Sequence, residues 1–171
     1  MTDYDYRNCQ SLFGYAADVH VRSGGICQLC GCGSRELDFD LWRQMTVEHL
    51  IGESQGGYLK QIEVALTARF PRLGPSGVAE LARRIDHANT VTACSFCNSM
   101  TSRTRAAISM EEAIQDAPDG TTEEIYQAVT AGLQQVLEDK RRDVRWKLNS
   151  VRRGFDEPVE PRLRSTRGVA I

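Results

Sequence analysis

Cys27-Gln28-Leu29-Cys30 and Cys94-Ser95-Phe96-Cys97 are two cysteine pairs of the same spacing that lie far apart in the chain. A CxxC unit places two thiolates on one turn, and four thiolates close a tetrahedral zinc site. We therefore predict a structural Zn²⁺ ion bound by Cys27, Cys30, Cys94 and Cys97. Cys32 is near enough to replace Cys30, but the first and fourth residues of a hairpin knuckle face one ion, which favours Cys30. The alternative is four buried thiols without a metal ion.

The segment between the two pairs is much longer than in a compact zinc ribbon, and its pattern indicates inserted helices. Apolar residues recur at helical spacing on both sides of a loop rich in Pro and Gly, which predicts two helices within residues 58–86. An imperfect alternation over residues 37–47 predicts a strand that runs into Glu48. Residues 89–93 are predicted to be extended, and a helix is predicted from Cys94 onward.

The C-terminal third carries the signature of one long helix. Thr121 and Glu124 have the spacing of a capping box, and an apolar stripe continues from there to about residue 152. Together with the predicted strands, this indicates an α+β fold in which a zinc-stapled core carries a helical insertion and a long C-terminal helix.

The composition is that of an ordinary globular protein. The chain has 171 residues, of which 41% are hydrophobic and 26% charged, with a formal net charge of -2. Its apolar runs are far shorter than the roughly 20 residues of a membrane-spanning helix, so no membrane partner is expected. Residues 1–6 are acidic and polar, unlike a secretory signal. CxxC spacing then favours metal binding over disulfides and predicts a reducing, cytoplasmic location.

Three pieces of the sequence follow one another in a recognisable order. They are VRSGGICQLCG at residues 21–31, TVEHLI at residues 46–51 with Gly56-Gly57 after it, and NTVTACSFCN at residues 89–98. In this order they resemble the HNH endonuclease family, the ββα-metal nucleases. The family pattern begins with a knuckle after Gly-Gly and continues with a strand that carries an acid and a histidine before a Gly-Gly turn. It ends with Asn, four further residues, CxxC and then His or Asn. The resemblance extends over about residues 19–105.

The resemblance implies a role for each residue that matches the family pattern. His49 stands where the family has the general base, which takes a proton from the attacking water. Glu48 stands where the family usually has an aspartate that binds a divalent ion, and Asn98 would supply a second ligand. Asn89 matches an asparagine that braces the loop and so orients the histidine.

The chemistry of these residues is consistent with DNA hydrolysis in its own right. One base and one hard cation provide an activated water, stabilisation of the phosphorane charge and help for the leaving oxygen. Mg²⁺ prefers oxygen ligands and keeps several waters, so a carboxylate and an amide oxygen form a suitable partial shell. The resemblance implies products with a 5′-phosphate and a 3′-hydroxyl.

The resemblance and the pattern of apolar residues together predict how the chain is divided. A nuclease module with a ββα-metal core is expected over residues 10–108, interrupted by the helical insertion at residues 58–86. A helical extension is expected over residues 109–155, and a flexible tail over residues 156–171.

Glu48 departs from the family's usual aspartate. Its extra methylene moves the carboxylate by roughly 1.5 Å unless the backbone compensates, and such a displacement can slow a reaction strongly. A degenerate copy that binds nucleic acid or protein without cleaving is therefore an alternative to an active nuclease.

Positive charge is concentrated in residues 140–153, after an acidic stretch. Such a block suits a polyanion, and its alternative is a solvated helix face paired with the acidic residues. Double-stranded DNA is the expected partner, and the residues expected to contact its phosphates are Arg103, Arg105, Lys140, Arg141, Arg142 and Arg145. Further contacts are expected from Arg43 and the insertion, at Lys60, Arg69, Arg72, Arg83 and Arg84.

The remaining features leave alternatives open. The apolar stripe of the long helix packs on the module or forms the seam of a homodimer. The chain could also be a nuclease subunit of a larger defence, restriction or phage complex. His87 is either a site residue or an exposed residue at a helix end, whereas His20 is expected to be structural or at the surface and Cys9 to be a core residue.

Overall fold

The structure is a computed structural model that describes residues 17–36, 38–101 and 104–167. It contains the mixed α and β elements that the sequence predicted, with one two-stranded sheet among many helices. The strands are β1 (Met45–His49) and β2 (Thr90–Cys94). The helices are α1 (Ala17–Arg22), α2 (Phe39–Trp42), α3 (Leu59–Arg69), α4 (Gly74–Ala88), α5 (Ser95–Thr101), α6 (Met110–Gln115), α7 (Thr122–Gly154) and α8 (Glu160–Arg167).

The sheet joins the two sequence-distant parts of the chain. Strands β1 and β2 are antiparallel, with Met45 opposite Cys94 at one end and His49 opposite Thr90 at the other. Helix α5 follows β2 directly. The sheet therefore separates the cysteines, at its Cys94 end, from His49, at its other end.

The first strand is shorter than the alternation of residues 37–47 predicted. It begins at Met45, and the preceding segment forms the short helix α2. The carboxylate of Asp38 accepts a hydrogen bond from the Leu41 amide at 2.9 Å and so caps this helix. A side-chain cap of this kind favours a helical turn over an extended chain.

The insertion consists of helices α3 and α4, as predicted, joined by a 3₁₀ turn at Pro71–Leu73. The two helices pack against each other, and α4 also packs against α7. Their apolar faces are buried through Ile62, Leu66, Val78, Leu81, Ala82 and Ile85.

Helix α7 begins at the capping box that the sequence predicted. The Thr121 amide donates to Glu124 at 2.7 Å, and the Glu124 amide donates to the Thr121 hydroxyl at 3.3 Å. The buried stripe of α7 consists of Ile125, Val129, Leu133, Val136, Leu137, Lys140 and Val144. These apolar side chains belong to the same core as those of the sheet, the knuckle and the insertion.

The end of the chain differs from the flexible tail that was predicted for residues 156–171. The chain stays helical to Arg167, with a π-helical turn at Phe155–Val159 that accommodates Pro158. Ion pairs four residues apart support this exposed segment, such as Arg152–Asp156 at 2.8 Å and Arg164–Glu160 at 2.7 Å. Residues 168–171 lie outside the described residues.

Among the helices of the described residues, none has both the length and the apolar character that crossing a bilayer requires. The long helix α7 carries charged residues in its first turn and throughout its second half.

Candidate functional site

The four predicted cysteines form one cluster. The sulfur atoms of Cys27, Cys30, Cys94 and Cys97 all lie within 4.8 Å of one another. The Cys30 and Cys94 sulfurs are 3.9 Å apart, close to the ~3.8 Å edge of a tetrahedron with zinc–sulfur bonds of about 2.3 Å. Hydrogen bonds from the other three thiols hold the pKa of the Cys27 thiol well below its usual range. The cluster can hold a metal ion such as zinc.

The backbone explains why Cys30 and not Cys32 faces the cluster. The Cys27 amide donates to the Cys32 carbonyl at 2.9 Å, and the Gly31 amide donates to the Cys27 carbonyl at 2.9 Å. Gly31 takes a φ of 76°, which glycine adopts without strain. This tight hairpin turns Cys30 toward Cys27 and confirms the prediction. The Gln28 amide then donates to the Thr92 carbonyl at 2.8 Å and ties the knuckle to β2.

A cleft of about 410 Å³ opens at the other end of the sheet. Three of the four residues to which the resemblance assigned roles line it together: Glu48, His49 and Asn98. Tyr58, Arg105 and Lys140 are also among the lining residues. The fourth residue, Asn89, lies beneath the cleft rather than in its wall.

Glu48 is buried and paired with a lysine from the long helix. Its side chain is 6% exposed, and its Oε1 accepts a hydrogen bond from the Lys140 ammonium at 2.5 Å and one from the Thr101 hydroxyl at 3.1 Å. The Lys140 ammonium also donates to the His49 carbonyl at 3.1 Å. A buried carboxylate needs such a partner because desolvation of an unpaired charge is very costly.

This pair corrects the prediction for Lys140. The sequence grouped it with an exposed basic block that contacts phosphates, whereas its side chain is 8% exposed. The reason is its position, because it lies on the same face of α7 as the buried residues Leu137 and Val144. A lysine within an apolar stripe was the sequence signal for this role, and Thr101 and Tyr58 were missed without such a signal.

His49 lies in a setting that keeps its imidazole neutral. Burial lowers its pKa below the ordinary value, and the positive charge of Lys140 lowers it further. The ring of Tyr58 lies 4.6 Å from the His49 ring, centroid to centroid. A neutral imidazole can accept a proton, as a general base must.

Asn89 makes the hydrogen bonds that the resemblance led us to expect. It is fully buried, its Oδ1 accepts from the Ile51 amide at 2.9 Å, and its Nδ2 donates to the carbonyls of Ile51 at 2.8 Å and Gly57 at 2.9 Å. The loop passes so close that a Cβ on Gly57 would lie 1.8 Å from the Ile51 carbonyl oxygen. Glycine is therefore required there, and Asn89 closes the loop that follows His49.

Within the described part of the chain, the Asn98 side chain makes one hydrogen bond, in which its Nδ2 donates to the Thr46 hydroxyl at 2.9 Å. This contact uses the amide nitrogen and leaves Oδ1 as the oxygen that could bind a ligand. Glu48 and Asn98 thus offer oxygen donors to one cleft, which is the donor type that hard divalent ions prefer.

The predicted phosphate contacts have different surroundings. Arg105 is exposed and lines the cleft, and Arg145 is exposed on α7. Arg141 donates to the Gln28 carbonyl at 2.7 Å, so it joins α7 to the knuckle. Arg142 pairs with Asp139 at 2.5 Å, as the alternative of a paired helix face predicted. Arg103 lies outside the described residues.

Several arginines of the insertion and two histidines serve contacts within the protein. Arg84 pairs with Glu123 at 2.7 Å, and Arg72 pairs with Asp119. His20 is buried and hydrogen-bonds the Thr92 hydroxyl at 3.0 Å, which confirms its structural role. His87 contacts the Arg22 guanidinium at 2.6 Å and is not among the described residues that line the cleft. Cys9 lies outside the described residues.

Comparison of the chain with family models, with curated proteins and with solved structures found no match.

Proposed function

We propose that this protein is an HNH-type endonuclease that hydrolyses phosphodiester bonds of double-stranded DNA with one divalent ion. The observation that supports it most is the meeting of Glu48, His49 and Asn98 in one cleft, although they come from β1 and α5. The order strand, strand, helix around these residues is also that of a ββα-metal unit. The proposal joins this geometry to the resemblance of the three sequence pieces.

In the proposed reaction, the neutral imidazole of His49 accepts the proton of the attacking water. Its lowered pKa suits this role because the ring stays unprotonated at neutral pH. Glu48 and Asn98 would hold Mg²⁺ or a similar ion, which when bound stabilises negative charge on the phosphate. Arg105, at the rim, would contact a phosphate of the DNA backbone.

The cysteine cluster has a separate part in the proposal. Its four thiolates would hold a structural Zn²⁺ ion, which pins the knuckle to the junction of β2 and α5. This ion would fix the relative positions of the two halves that carry Glu48–His49 and Asn98.

Plasmid cleavage tests the proposal. Zinc-loaded protein with Mg²⁺ should nick or cut plasmid DNA, and EDTA should abolish the reaction. His49→Ala should slow cleavage by about 10²–10⁴-fold because the general base is lost. His87→Ala is the matched control, since His87 contacts Arg22 outside the cleft, and should cleave like the wild type. Equal rates for His49→Ala and the wild type would overturn the proposal.

A second candidate is a zinc module that binds nucleic acid without cleaving it. The observation that favours it is the ion pair between Glu48 and Lys140, in which the lysine already neutralises the carboxylate. Retarded migration of a DNA duplex in a gel, with no cleavage under any divalent ion, would support this candidate over the nuclease.

A further inference from the structure

We infer that Lys140 is a fixed counter-charge in the cleft that makes binding of the divalent ion depend on bound phosphate. The inference rests on the proposed function, since it concerns the ion that Glu48 and Asn98 would hold. It assigns to Lys140 a positioning role that the basic block of the sequence did not indicate.

The two oxygens of the Glu48 carboxylate have different surroundings. Both the Lys140 ammonium and the Thr101 hydroxyl donate to Oε1, at 2.5 and 3.1 Å. These contacts hold the carboxylate through Oε1, so an ion held by Glu48 would bind through Oε2. The ammonium and the ion would therefore share one carboxylate, and the two cations would repel each other.

The pair is held firmly by its surroundings. Both side chains are nearly fully buried, and Lys140 has a further contact with the His49 carbonyl at 3.1 Å. Withdrawal of the ammonium would break its hydrogen bonds to Glu48 and the His49 carbonyl and leave a buried charge without acceptors, which is strongly unfavourable. Lys140 therefore stays in place when an ion arrives, instead of moving aside.

Among the described residues, the charges that line the cleft are balanced in sign. Among the described residues that line it, the negative ones are Glu48 and Glu53, and the positive ones are Arg105 and Lys140. With histidine counted as neutral, as in the formal charge of the chain, these described residues sum to zero. The attraction of a divalent ion to the Glu48 carboxylate is opposed by the Lys140 ammonium on the same carboxylate, whereas a phosphodiester adds negative charge. Ion and phosphate therefore promote each other's binding, and this coupling is reciprocal.

The glutamate at position 48 fits this arrangement. Its side chain is one methylene longer than aspartate, a difference of roughly 1.5 Å. The extra reach brings the carboxylate to the Lys140 ammonium on α7 and the Thr101 hydroxyl at the end of α5. The departure from aspartate and the buried lysine thus belong together.

The experiment measures Mn²⁺ binding by electron paramagnetic resonance in zinc-loaded protein. The His49→Ala background slows cleavage strongly and allows titration with and without a short DNA duplex. Lys140→Met should bind Mn²⁺ at least about tenfold more tightly than its parent without DNA, because the repulsion is removed. DNA should tighten Mn²⁺ binding at least about tenfold in the parent and much less in Lys140→Met.

Lys147→Met is the matched control. Lys147 lies two turns further along the same helix and donates to the Met100 carbonyl at 3.1 Å, away from Glu48. Its loss removes the same charge from α7 and should leave Mn²⁺ affinity unchanged. If Lys140→Met does not fold, Lys140→Gln keeps a hydrogen-bond donor for Glu48 without the charge, and circular dichroism identifies which variants are folded.

The outcomes separate this inference from the proposed function. Equal Mn²⁺ affinities of Lys140→Met and its parent without DNA overturn the inference, even if the wild type cuts plasmid. An equal increase for Lys147→Met also overturns it, because the effect would then be one of overall charge. If the protein never cuts DNA but its Lys140→Met variant binds Mn²⁺ more tightly, the nuclease proposal is refuted. The inference that Lys140 is a counter-charge to the ion then still stands.

Discussion

Replacement of Asn89 by alanine tests the brace beneath the cleft. The side chain is fully buried, and its loss leaves three groups without their partner: the Ile51 amide and the carbonyls of Ile51 and Gly57. An unsatisfied buried polar group costs about 1–3 kcal/mol, so the free energy of unfolding should fall by about 3–5 kcal/mol if water enters the space and relieves part of the cost. This is a large share of the total of about 5–15 kcal/mol for a typical domain.

The assay is urea unfolding of zinc-loaded protein, followed by circular dichroism. Asn98→Ala is the matched control, because its side chain makes one hydrogen bond among the described residues, to Thr46, and the substitution should cost only about 1 kcal/mol. The two substitutions should therefore affect different properties. Asn89→Ala should lower stability, whereas Asn98→Ala should weaken Mn²⁺ binding with little loss of stability. A loss for Asn89→Ala no larger than that for Asn98→Ala would refute the assignment of Asn89 as the brace.

The other predictions concern the same loop, His49 and the cysteine cluster. Gly57→Ala should lower the unfolding free energy by about 2 kcal/mol or more because its Cβ meets the Ile51 backbone, whereas Gly52→Ala, with no heavy atom within 4 Å of its added Cβ, should change it by less than about 0.5 kcal/mol in the same urea assay. Burial and the charge of Lys140 lower the pKa of His49 in the folded protein. The unfolded chain therefore takes up the proton first, at its pKa of about 6.5, and the stability of the folded protein falls as the pH drops from there toward the folded pKa. The decrease in unfolding free energy between pH 7.5 and 5.5 should therefore be smaller in His49→Ala, and an unchanged decrease would contradict the assignment. Cys97→Ser should abolish stoichiometric zinc, measured by mass spectrometry of the native protein, and cost several kcal/mol of stability, whereas Cys32→Ser, outside the cluster, should retain the ion.

Local patterns in the sequence were sufficient for much of the architecture. The helical periodicity of residues 58–86 predicted α3 and α4, and the Thr121 capping box marked the start of α7. The spacing of the two CxxC units predicted four sulfurs that do lie together. These features depend on interactions within a turn or on the ligand geometry of one ion, so they are visible in short stretches of sequence.

Predictions from apolar alternation and from proline positions failed where side-chain contacts three or four residues apart decided the conformation. The alternation of residues 37–47 suggested a strand, but the Asp38 cap starts a short helix within it. The prolines after Gly154 suggested a tail, but a π-helical turn takes up Pro158, and ion pairs support the helix to Arg167.

The sequence alone also named the candidate site residues, because Glu48, His49, Asn89 and Asn98 match the ordered pieces that resemble the HNH pattern. The tertiary structure decided what surrounds them. Lys140 is 92 residues from Glu48 in the chain, and only the packing of α7 against α4 of the insertion and against α5 brings its ammonium to the carboxylate. In the sequence, Lys140 is one cation among many. Its burial against one acid depends on the direction of its helix face, which the sum of many core contacts sets.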